Sequence, residues 1–180
     1  MTEENLIKKC ASGNALAQKT FYEKFAGKMM GVCLRYAQDY EEAQDVMQDA
    51  FIKVFNNLPD YKKKGSLEGW VRRIVVNTAL DSYRKNKKHI GNVDVDSVNY
   101  MLDDNAYIIE NLNANDLLAI IDKLPAGYKI VFNLFAIEGY SHKEIAEMLD
   151  IDETTSKSQY SRAKKQIQYK LADLSKISNY

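Results

Sequence analysis

The sequence predicts an all-α fold, built as two small helical domains joined by an acidic linker. Its 180 residues include two prolines and eight glycines, so long segments run without a helix breaker. Within those segments apolar side chains recur at three- and four-residue spacing, which is the period of an amphipathic helix. The strict alternation of apolar and polar residues that indicates a half-buried strand does not occur.

Four helices are predicted in the first domain, residues 1–90. The second of them has an apolar stripe that begins at Leu16. The third begins after Asp39, whose carboxylate is suited to cap it, and Glu42 three residues later completes a capping box. Ser66 is suited to cap the fourth helix. The stripe of that helix is predicted as Trp70, Ile74, Asn77, Ala79, Leu80 and Tyr83.

An acidic linker over residues 91–112 separates this domain from the second, residues 113–180. The linker is polar and has no steady periodicity, and four shorter helices are predicted after it. Ser141 and Glu144 form another capping box, which opens a helix through Leu149. The packed residues of the first of these helices are predicted as Leu117, Leu118, Ile121 and Leu124.

The formal net charge of zero conceals a strong segregation of charge along the chain. Residues 62–88 carry nine Lys or Arg against two acids, a net of +7, and residues 153–170 carry five against one, a net of +4. Residues 91–122 carry seven acids and no Lys or Arg, a net of −7. Two basic blocks separated by an acidic one predict two polyanion-binding surfaces, with solvated helix faces as the alternative.

The last two helices have the spacing of a helix-turn-helix. The outward face of the second helix is rich in hydroxyls and cations. Short hydroxyl side chains let a helix N-terminus approach DNA and bond to base edges or phosphates, whereas Arg and Lys one turn later suit phosphates. A plain helical hairpin is the alternative. The face consists of Thr154, Thr155, Lys157, Ser158, Ser161, Arg162 and Lys165.

A second candidate nucleic-acid surface lies on the fourth helix and the Lys-rich loop before it. Cations that follow phosphates, beside aromatic and amide groups that stack on or bond to bases, suit single-stranded or melted DNA. Two residues have structural alternatives, because Trp70 could anchor the core and Asn77 could be a buried amide bonded within the domain. The cations concerned are Lys62, Lys63, Lys64, Arg73, Arg84 and Lys85.

The third helix instead presents an acidic stripe that includes Asp45, Gln48 and Asp49. Such a stripe is unsuited to DNA, and it fits docking on a basic protein surface or plain solvation. A di-metal carboxylate site would need Glu-x-x-His pairs, and the two histidines, His89 and His142, lie elsewhere. We therefore expect no metal and no cofactor.

Two cysteines, Cys10 and Cys33, lack the spacing of a zinc site or a disulfide framework, and both are predicted to be reduced thiols. The N-terminal segment has no apolar run of the signal-peptide kind. No apolar run approaches the roughly 20 residues that a membrane span needs. We therefore expect a cytoplasmic protein without a membrane partner.

Four segments together resemble the extracytoplasmic-function (ECF) sigma factors of the sigma-70 family, which are specificity subunits of bacterial RNA polymerase. The segments occur in the order and spacing of that family, and the resemblance covers about residues 5–173. They are AQDVMQDAFIKVF, SLEGWVRRIVVNTALDSYRK, LPAGYKIVFNLFAIEGYSHKEIAEMLDI and TTSKSQYSRAKKQI. The resemblance implies promoter-specific transcription initiation and no catalytic activity of the chain itself.

For the first domain, the resemblance implies sigma region 2. The acidic stripe of the third helix would then dock on the clamp helices of the largest polymerase subunit. The Lys-rich loop and the helix that carries Trp70, Asn77 and Asp81 would melt the −10 element of the promoter and recognise its non-template strand.

For residues 113–180, the resemblance implies sigma region 4. The helix-turn-helix would recognise the −35 element, and this domain would contact the flap of the second-largest polymerase subunit. The acidic linker would extend toward the RNA exit path, a channel that holds a polyanion. An anti-sigma factor is a further expected partner.

The chain departs from the family at the helix-turn-helix. Asp150 stands where the family commonly has Gly, and so does Thr154 near the start of the second helix. Asp152 and Glu153 add acids where DNA would approach. We expect these acids to affect which −35 sequence is accepted.

Two other functions compete with this interpretation. A LuxR-like transcriptional regulator shares the segment HKEIAEMLDI and a basic second helix, but it does not account for residues 14–88. A helical enzyme would need a catalytic constellation. The sequence offers no nucleophile paired with a base, no phosphate-binding loop and no set of metal ligands.

Overall fold

The structure is a computed structural model that describes residues 2–90 and 114–177, and the predicted linker lies outside these residues. The chain divides into two compact units, residues 1–92 and 93–180. The described part of both units is helical and without strands, so the predicted all-α fold is confirmed. Unit 1 contains α1 (Glu3–Ala11), α2 (Ala15–Tyr36), α3 (Tyr40–Asn57) and α4 (Leu67–Ile90). Unit 2 contains α5 (Ala114–Asp122), α6 (Ala126–Phe132), α7 (His142–Leu149) and α8 (Glu153–Ile177).

The core of unit 1 is formed by the inward stripes of α2, α3 and α4. Aromatic rings join α2 to α3, because Phe21 lies 4.9 Å from Phe25 and 5.7 Å from Phe55 between ring centroids. The prediction that Leu16 begins the stripe of α2 is wrong, since this side chain is 75% exposed. The stripe begins one residue later, because Ala17 is one turn from Phe21. Its buried members are Ala17, Phe21, Phe25, Met29, Val32, Cys33 and Tyr36.

The stripe of α4 also differs from the prediction, apart from Ala79 and Leu80, which are buried as expected. Trp70, Ile74 and Tyr83 are half-buried, and Asn77 is exposed. The segment WVRRIVV has apolar side chains on two adjoining faces, and it is the valines that face α2 and α3. The structural alternative of a buried Asn77 is therefore wrong. The buried residues of α4 are Leu67, Val71, Val75, Val76, Thr78, Ala79 and Leu80.

The start of α3 is capped by Asp39, whose Oδ1 accepts a hydrogen bond from the backbone N of Glu42 at 2.8 Å. The second half of the predicted capping box takes another form. The carboxylate of Glu42 accepts from the backbone N of Gln38 at 2.8 Å, from the Ser82 hydroxyl at 2.8 Å and from the Asn86 amide at 2.7 Å. Glu42 therefore joins the start of α3 to the later part of α4.

Unit 2 has a core in which α5 and α6 pack against α8. Leu117 and Leu118 are exposed, at 36% and 46%, so their predicted packing is wrong. Ile120 lies on the inward face in their place, beside Ile121. The cluster consists of Ile120, Ile121, Leu124, Ala163 and Ile167, with Tyr128, Phe132 and Leu171 against it.

The predicted helix-turn-helix is formed by α7 and α8, and a short segment leads into it from α6. A π-helical turn, Asn133–Ile137, extends α6, and Gly139 leaves it at a φ of +80°. The capping box at the start of α7 is confirmed, since Ser141 N donates to Glu144 Oε2 at 2.8 Å and Glu144 N donates to Ser141 Oγ at 3.3 Å. Asp150 ends α7 in the left-handed region, with φ 54° and ψ 52°. Asp tolerates this conformation better than most residues other than Gly, which explains how it serves at this turn.

Candidate nucleic-acid interface

A polar stripe runs along α4 on the side away from the core. Its members follow one another at intervals of three, four, four and three residues, so they share one helix face. Arg73, Asn77 and Arg84 are exposed, and the exposed Lys85 lies beside them. Trp70 and Asp81 are half-buried. The stripe, called the α4 stripe below, consists of Trp70, Arg73, Asn77, Asp81 and Arg84.

The Lys-rich loop before α4 is folded against Trp70. The ring of Tyr61 lies 5.0 Å from that of Trp70, and the Tyr61 hydroxyl donates to the carbonyl oxygen of Gly65 at 3.1 Å. Ser66 Oγ then caps α4 by accepting from the backbone N of Gly69 at 3.1 Å, as predicted. These contacts place the loop and Trp70 side by side, so that a half-buried aromatic ring adjoins a basic loop.

The three lysines of this loop, Lys62, Lys63 and Lys64, are all exposed, but they differ in their surroundings. Lys63 has a φ of 53°, and its Nζ lies 2.8 Å from Oε1 of Glu4 in α1. The hydrogen bond and charge of Lys63 hold the pKa of the Glu4 carboxyl below its ordinary value. Lys63 is therefore oriented toward α1.

Asp81 places a cation of α3 next to the α4 stripe. Its Oδ2 lies 3.1 Å from Nζ of Lys53 in α3, and its Oδ1 lies 3.2 Å from Nη2 of Arg84. Sequence reasoning missed Lys53, because it belongs to the helix that carries the acidic stripe. No local signal indicates the contact, since 28 residues separate Lys53 from Asp81.

The acidic stripe of α3 is exposed as predicted. Asp45, Gln48 and Asp49 point outward, while Val46, Met47 and Ala50 are buried. Beside Gln48 a shallow groove opens between α2 and α3, and Ile52 on its wall is 54% exposed. This apolar neighbour of the stripe was not predicted. The groove is lined by Tyr22, Met30, Gln44, Met47, Gln48, Phe51, Ile52 and Phe55.

The predicted outward face of α8 is also present. Thr154, Lys157, Ser158, Ser161, Arg162 and Lys165 are exposed, and Thr155 is half-buried. The Ser158 hydroxyl donates to the carbonyl oxygen of Thr155 at 3.0 Å, so its proton is used within the helix. Arg162 Nη1 donates to the hydroxyl of Tyr128 in α6 at 3.4 Å. The Ser158 hydroxyl therefore presents mainly an acceptor atom outward, while the cations lie one turn further along.

The first turn of α8 contains an ion pair that tempers its positive charge. Lys157 Nζ lies 2.6 Å from Glu153 Oε1, and this hydrogen bond holds the pKa of the Glu153 carboxyl below its ordinary value. Acids in a first turn are favourable for the helix itself. Of the two acids expected to affect DNA binding, Asp152 and Glu153, the second is thus already engaged by a cation of the same face.

One hydroxyl of this helix points the other way. Ser156 is fully buried, and its Oγ lies 2.9 Å from Nδ1 of His142 in α7. The His142 ring stacks on Phe135, with centroids 4.3 Å apart and planes at 12°. Burial, followed by the charge of Lys157, lowers the pKa of His142, while Glu153 acts in the opposite direction. Sequence reasoning missed this pair, because Ser156 sits within a run of exposed hydroxyls.

Within residues 2–90 and 114–177, no group of three or more His, Cys, Asp or Glu side chains could hold a metal ion. Cys10 and Cys33 are buried free thiols, and burial raises the pKa of Cys33 to about 11. None of the described helices is long and apolar enough to cross a membrane.

Both surfaces lie in segments that match models of the same protein family. Residues 21–89 match the family model of sigma-70 region 2, and residues 114–167 match that of sigma-70 region 4. The α4 stripe falls within the first match and the outward face of α8 within the second. Together the two matches span more than half of the chain.

Whole proteins resemble the chain over nearly its full length. It is 25% identical over 186 residues to the ECF RNA polymerase sigma-E factor of Haemophilus influenzae, covering 97% of each chain. It is 24% identical over 183 residues to the RNA polymerase sigma-H factor of Pseudomonas aeruginosa, covering 96% of this chain and 95% of that protein. The sigma factor RpoE of Bartonella quintana, solved with the anti-sigma factor NepR, has a similar fold. Its TM-score is 0.52 at 19% identity, over 86% of this chain and 96% of that chain.

Proposed function

Because this chain belongs to the sigma-70 family, as a sigma factor of the ECF type that directs transcription initiation by RNA polymerase, we propose a role for each of its surfaces. The Lys-rich loop and the α4 stripe contact and melt the −10 element, and the outward face of α8 recognises the −35 element. The acidic stripe of α3 binds core polymerase. The LuxR-like alternative is dropped, because the match over residues 21–89 lies in the part that it does not explain.

The observation that carries the proposal is the composition of the α4 stripe. Arg73 and Arg84 supply positive charge for phosphates, and the exposed amide of Asn77 between them can both donate to and accept from a base edge. Trp70 at the end of the stripe adjoins the basic loop, where a base freed from the duplex could stack on an aromatic surface. Charge, amide and ring in one line suit DNA that is being opened.

The outward face of α8 suits duplex DNA. Its hydroxyls, Thr155 and Ser158, lie in the first turns, and Arg162 and Lys165 follow one turn later. In a helix-turn-helix the start of the second helix enters the major groove, and its later cations meet the phosphate backbone. The ion pair of Glu153 with Lys157 limits the charge of the first turn.

The proposal for α3 depends on its exposed carboxylates. Asp45 and Asp49, with Gln48 between them, would meet a basic partner surface, which the clamp helices of the largest polymerase subunit supply in this family. The adjoining groove, with Ile52 on its wall, provides apolar area that a charged stripe alone lacks. Protein interfaces combine an apolar centre, which becomes buried on binding, with a polar rim.

Three further expectations complete the proposal. Unit 2 contacts the flap of the second-largest polymerase subunit, and the acidic linker over residues 91–112 extends toward the RNA exit path. An anti-sigma factor regulates the chain. The structurally similar Bartonella quintana protein, which was solved with an anti-sigma factor, supports this expectation. The protein acts in the cytoplasm and catalyses no reaction itself.

Purification with core RNA polymerase tests the proposal. We expect stable co-elution, and initiation from a specific subset of promoter fragments that core polymerase alone does not use. Arg73→Ala should reduce initiation, whereas Lys24→Ala, which removes an exposed cation of α2 paired with Glu3, should not. Specific binding of the free chain to a palindromic operator, without co-elution, would instead support the regulator.

A further inference from the structure

Resting on the proposed promoter contact of α4, we propose that Lys53 of α3 is a further DNA-contacting residue of this surface. In this arrangement Asp81 is the counter-charge of Lys53 and Arg84, and it makes no base contact. The DNA surface then extends from α4 onto α3. Asp81 belongs to the α4 stripe but is not one of the residues that contact bases.

The geometry around Asp81 supports this division. Both carboxylate oxygens face cations, Oδ2 toward Lys53 at 3.1 Å and Oδ1 toward Arg84 at 3.2 Å. A base that approached Asp81 would have to offer a donor to oxygens that already have charged partners, and charge-assisted bonds are the stronger ones. Asp81 is therefore poorly placed to select a base.

The charges lead to the same conclusion. A lone carboxylate on a surface that meets phosphates opposes binding, whereas one that holds two cations leaves a net positive group. The side chains of Lys53, Asp81 and Arg84 are each 46% exposed. The two cations can therefore turn toward a phosphate without disturbing the core. Lys53 belongs to the same cluster as Arg84 and should share its contact with the DNA backbone.

The comparison that tests the inference uses holoenzyme reconstituted with core polymerase. The probe is a promoter fragment selected from a library randomised in the −10 and −35 elements, together with its single-base −10 variants. Lys53→Ala should weaken binding to all −10 variants by the same factor. It should also flatten the slope of log K against log salt, by about 0.9 for a duplex contact or about 0.7 for a single-stranded one. The affinity ratio to wild type should then change roughly threefold between 50 and 200 mM salt.

Asp81→Asn provides the second arm. If Asp81 is only a counter-charge, this neutral variant should bind every −10 variant more tightly by the same factor, and the order of preference should not change. A changed order of preference would mean that Asp81 contacts a base, and the inference would be wrong. An unaltered affinity and salt slope for Lys53→Ala would equally overturn it.

The chain offers a matched control on another face of the same helix. Lys28 of α2 pairs with Glu68 of α4 at 2.7 Å. Glu68 lies nine residues before Asn77, so the two side chains are on opposite sides of α4. Lys28→Ala and Glu68→Gln should leave DNA binding unchanged. Lys53→Arg, which keeps the charge, should restore the salt slope and so separates a DNA contact from a folding defect. If Arg73→Ala is also without effect, the proposed promoter contact itself fails, whereas an effect of Arg73→Ala alone limits the failure to Lys53.

Discussion

The buried hydroxyl oxygen of Ser156 lies 2.9 Å from Nδ1 of His142, which links the first turns of the two helices in the helix-turn-helix. Phe135, in the π-helical turn that follows α6, stacks on the His142 ring. Three segments therefore meet behind the outward face of α8. The orientation of that face depends on residues that would not touch DNA themselves.

Ser156→Ala should destabilise unit 2, because it removes one side of a hydrogen bond and leaves a partly buried ring nitrogen without this partner. A change of about 1 to 3 kcal/mol in the free energy of unfolding is expected. Urea unfolding of the full chain, followed by a probe in unit 2, measures it. Ser161→Ala, an exposed hydroxyl of the same helix, serves as the control and should change stability by less than about 0.5 kcal/mol.

The stability of unit 2 should fall as the pH drops below about 6.5. His142 has a pKa lowered by burial and by Lys157 from its ordinary value of 6.5, so the unfolded chain takes up a proton first as the pH falls. The stabilising contribution is present above the unfolded pKa and is lost as the pH falls through the folded one. An NMR titration of His142 would check the direction of the shift, and His142→Gln should remove this part of the pH dependence. A folded pKa above 6.5 would contradict the prediction.

The outward faces of α3 and α8 could be predicted from the sequence because they depend only on local spacing. On α3, Val46 and Met47 mark the inward side and so place Asp45 and Gln48 outside. The register of α4 could not be fixed in this way. Both Trp70 with Ile74 and Val71 with Val75 fit helical spacing, and only the packing against α2 and α3 selects the valines.

Contacts between residues far apart in the chain also could not be predicted from the sequence. Lys53 meets Asp81 across 28 residues, and Glu42 meets Asn86 across 44. Neither pair has a signature in the intervening chain, because a helix surface offers several positions where a charged side chain remains solvated. Ser156 is similar, since its neighbours share its chemistry and only its angular position on α8 turns it inward.

Replacing Asp45 and Gln48 together, as Asp45→Asn with Gln48→Ala, should weaken binding to core polymerase without unfolding unit 1. Both side chains are exposed and lie off the buried face of α3. Truncating one partner of a buried charged contact costs about 2 to 5 kcal/mol, and less at a rim. Titration of labelled chain with core polymerase would measure the loss.

The control for this pair is Glu23→Gln on α2, an exposed acid whose partner Lys19 lies 3.8 Å away on the same helix. It removes one negative charge from unit 1 outside the acidic stripe, so it should leave the affinity unchanged. Equal affinities for the double variant and wild type, at equal melting temperatures, would exclude the docking role.

The two parts of the outward face of α8 should differ in what they contribute. Arg162→Ala and Lys165→Ala should weaken binding to all −35 variants alike, and each lost phosphate contact should flatten the slope of log K against log salt by about 0.9. Ser158→Ala should instead change which base is preferred, by about 1 to 3 kcal/mol at the affected pair. Since the Ser158 hydroxyl donates its hydrogen bond to the carbonyl oxygen of Thr155, it faces the groove as an acceptor and should favour the amino group of adenine or cytosine. Transcription from −35 variants with the three single mutants and Thr155→Val measures both effects. If Ser158→Ala and Arg162→Ala shift every variant by the same factor, α8 is a basic surface without base recognition.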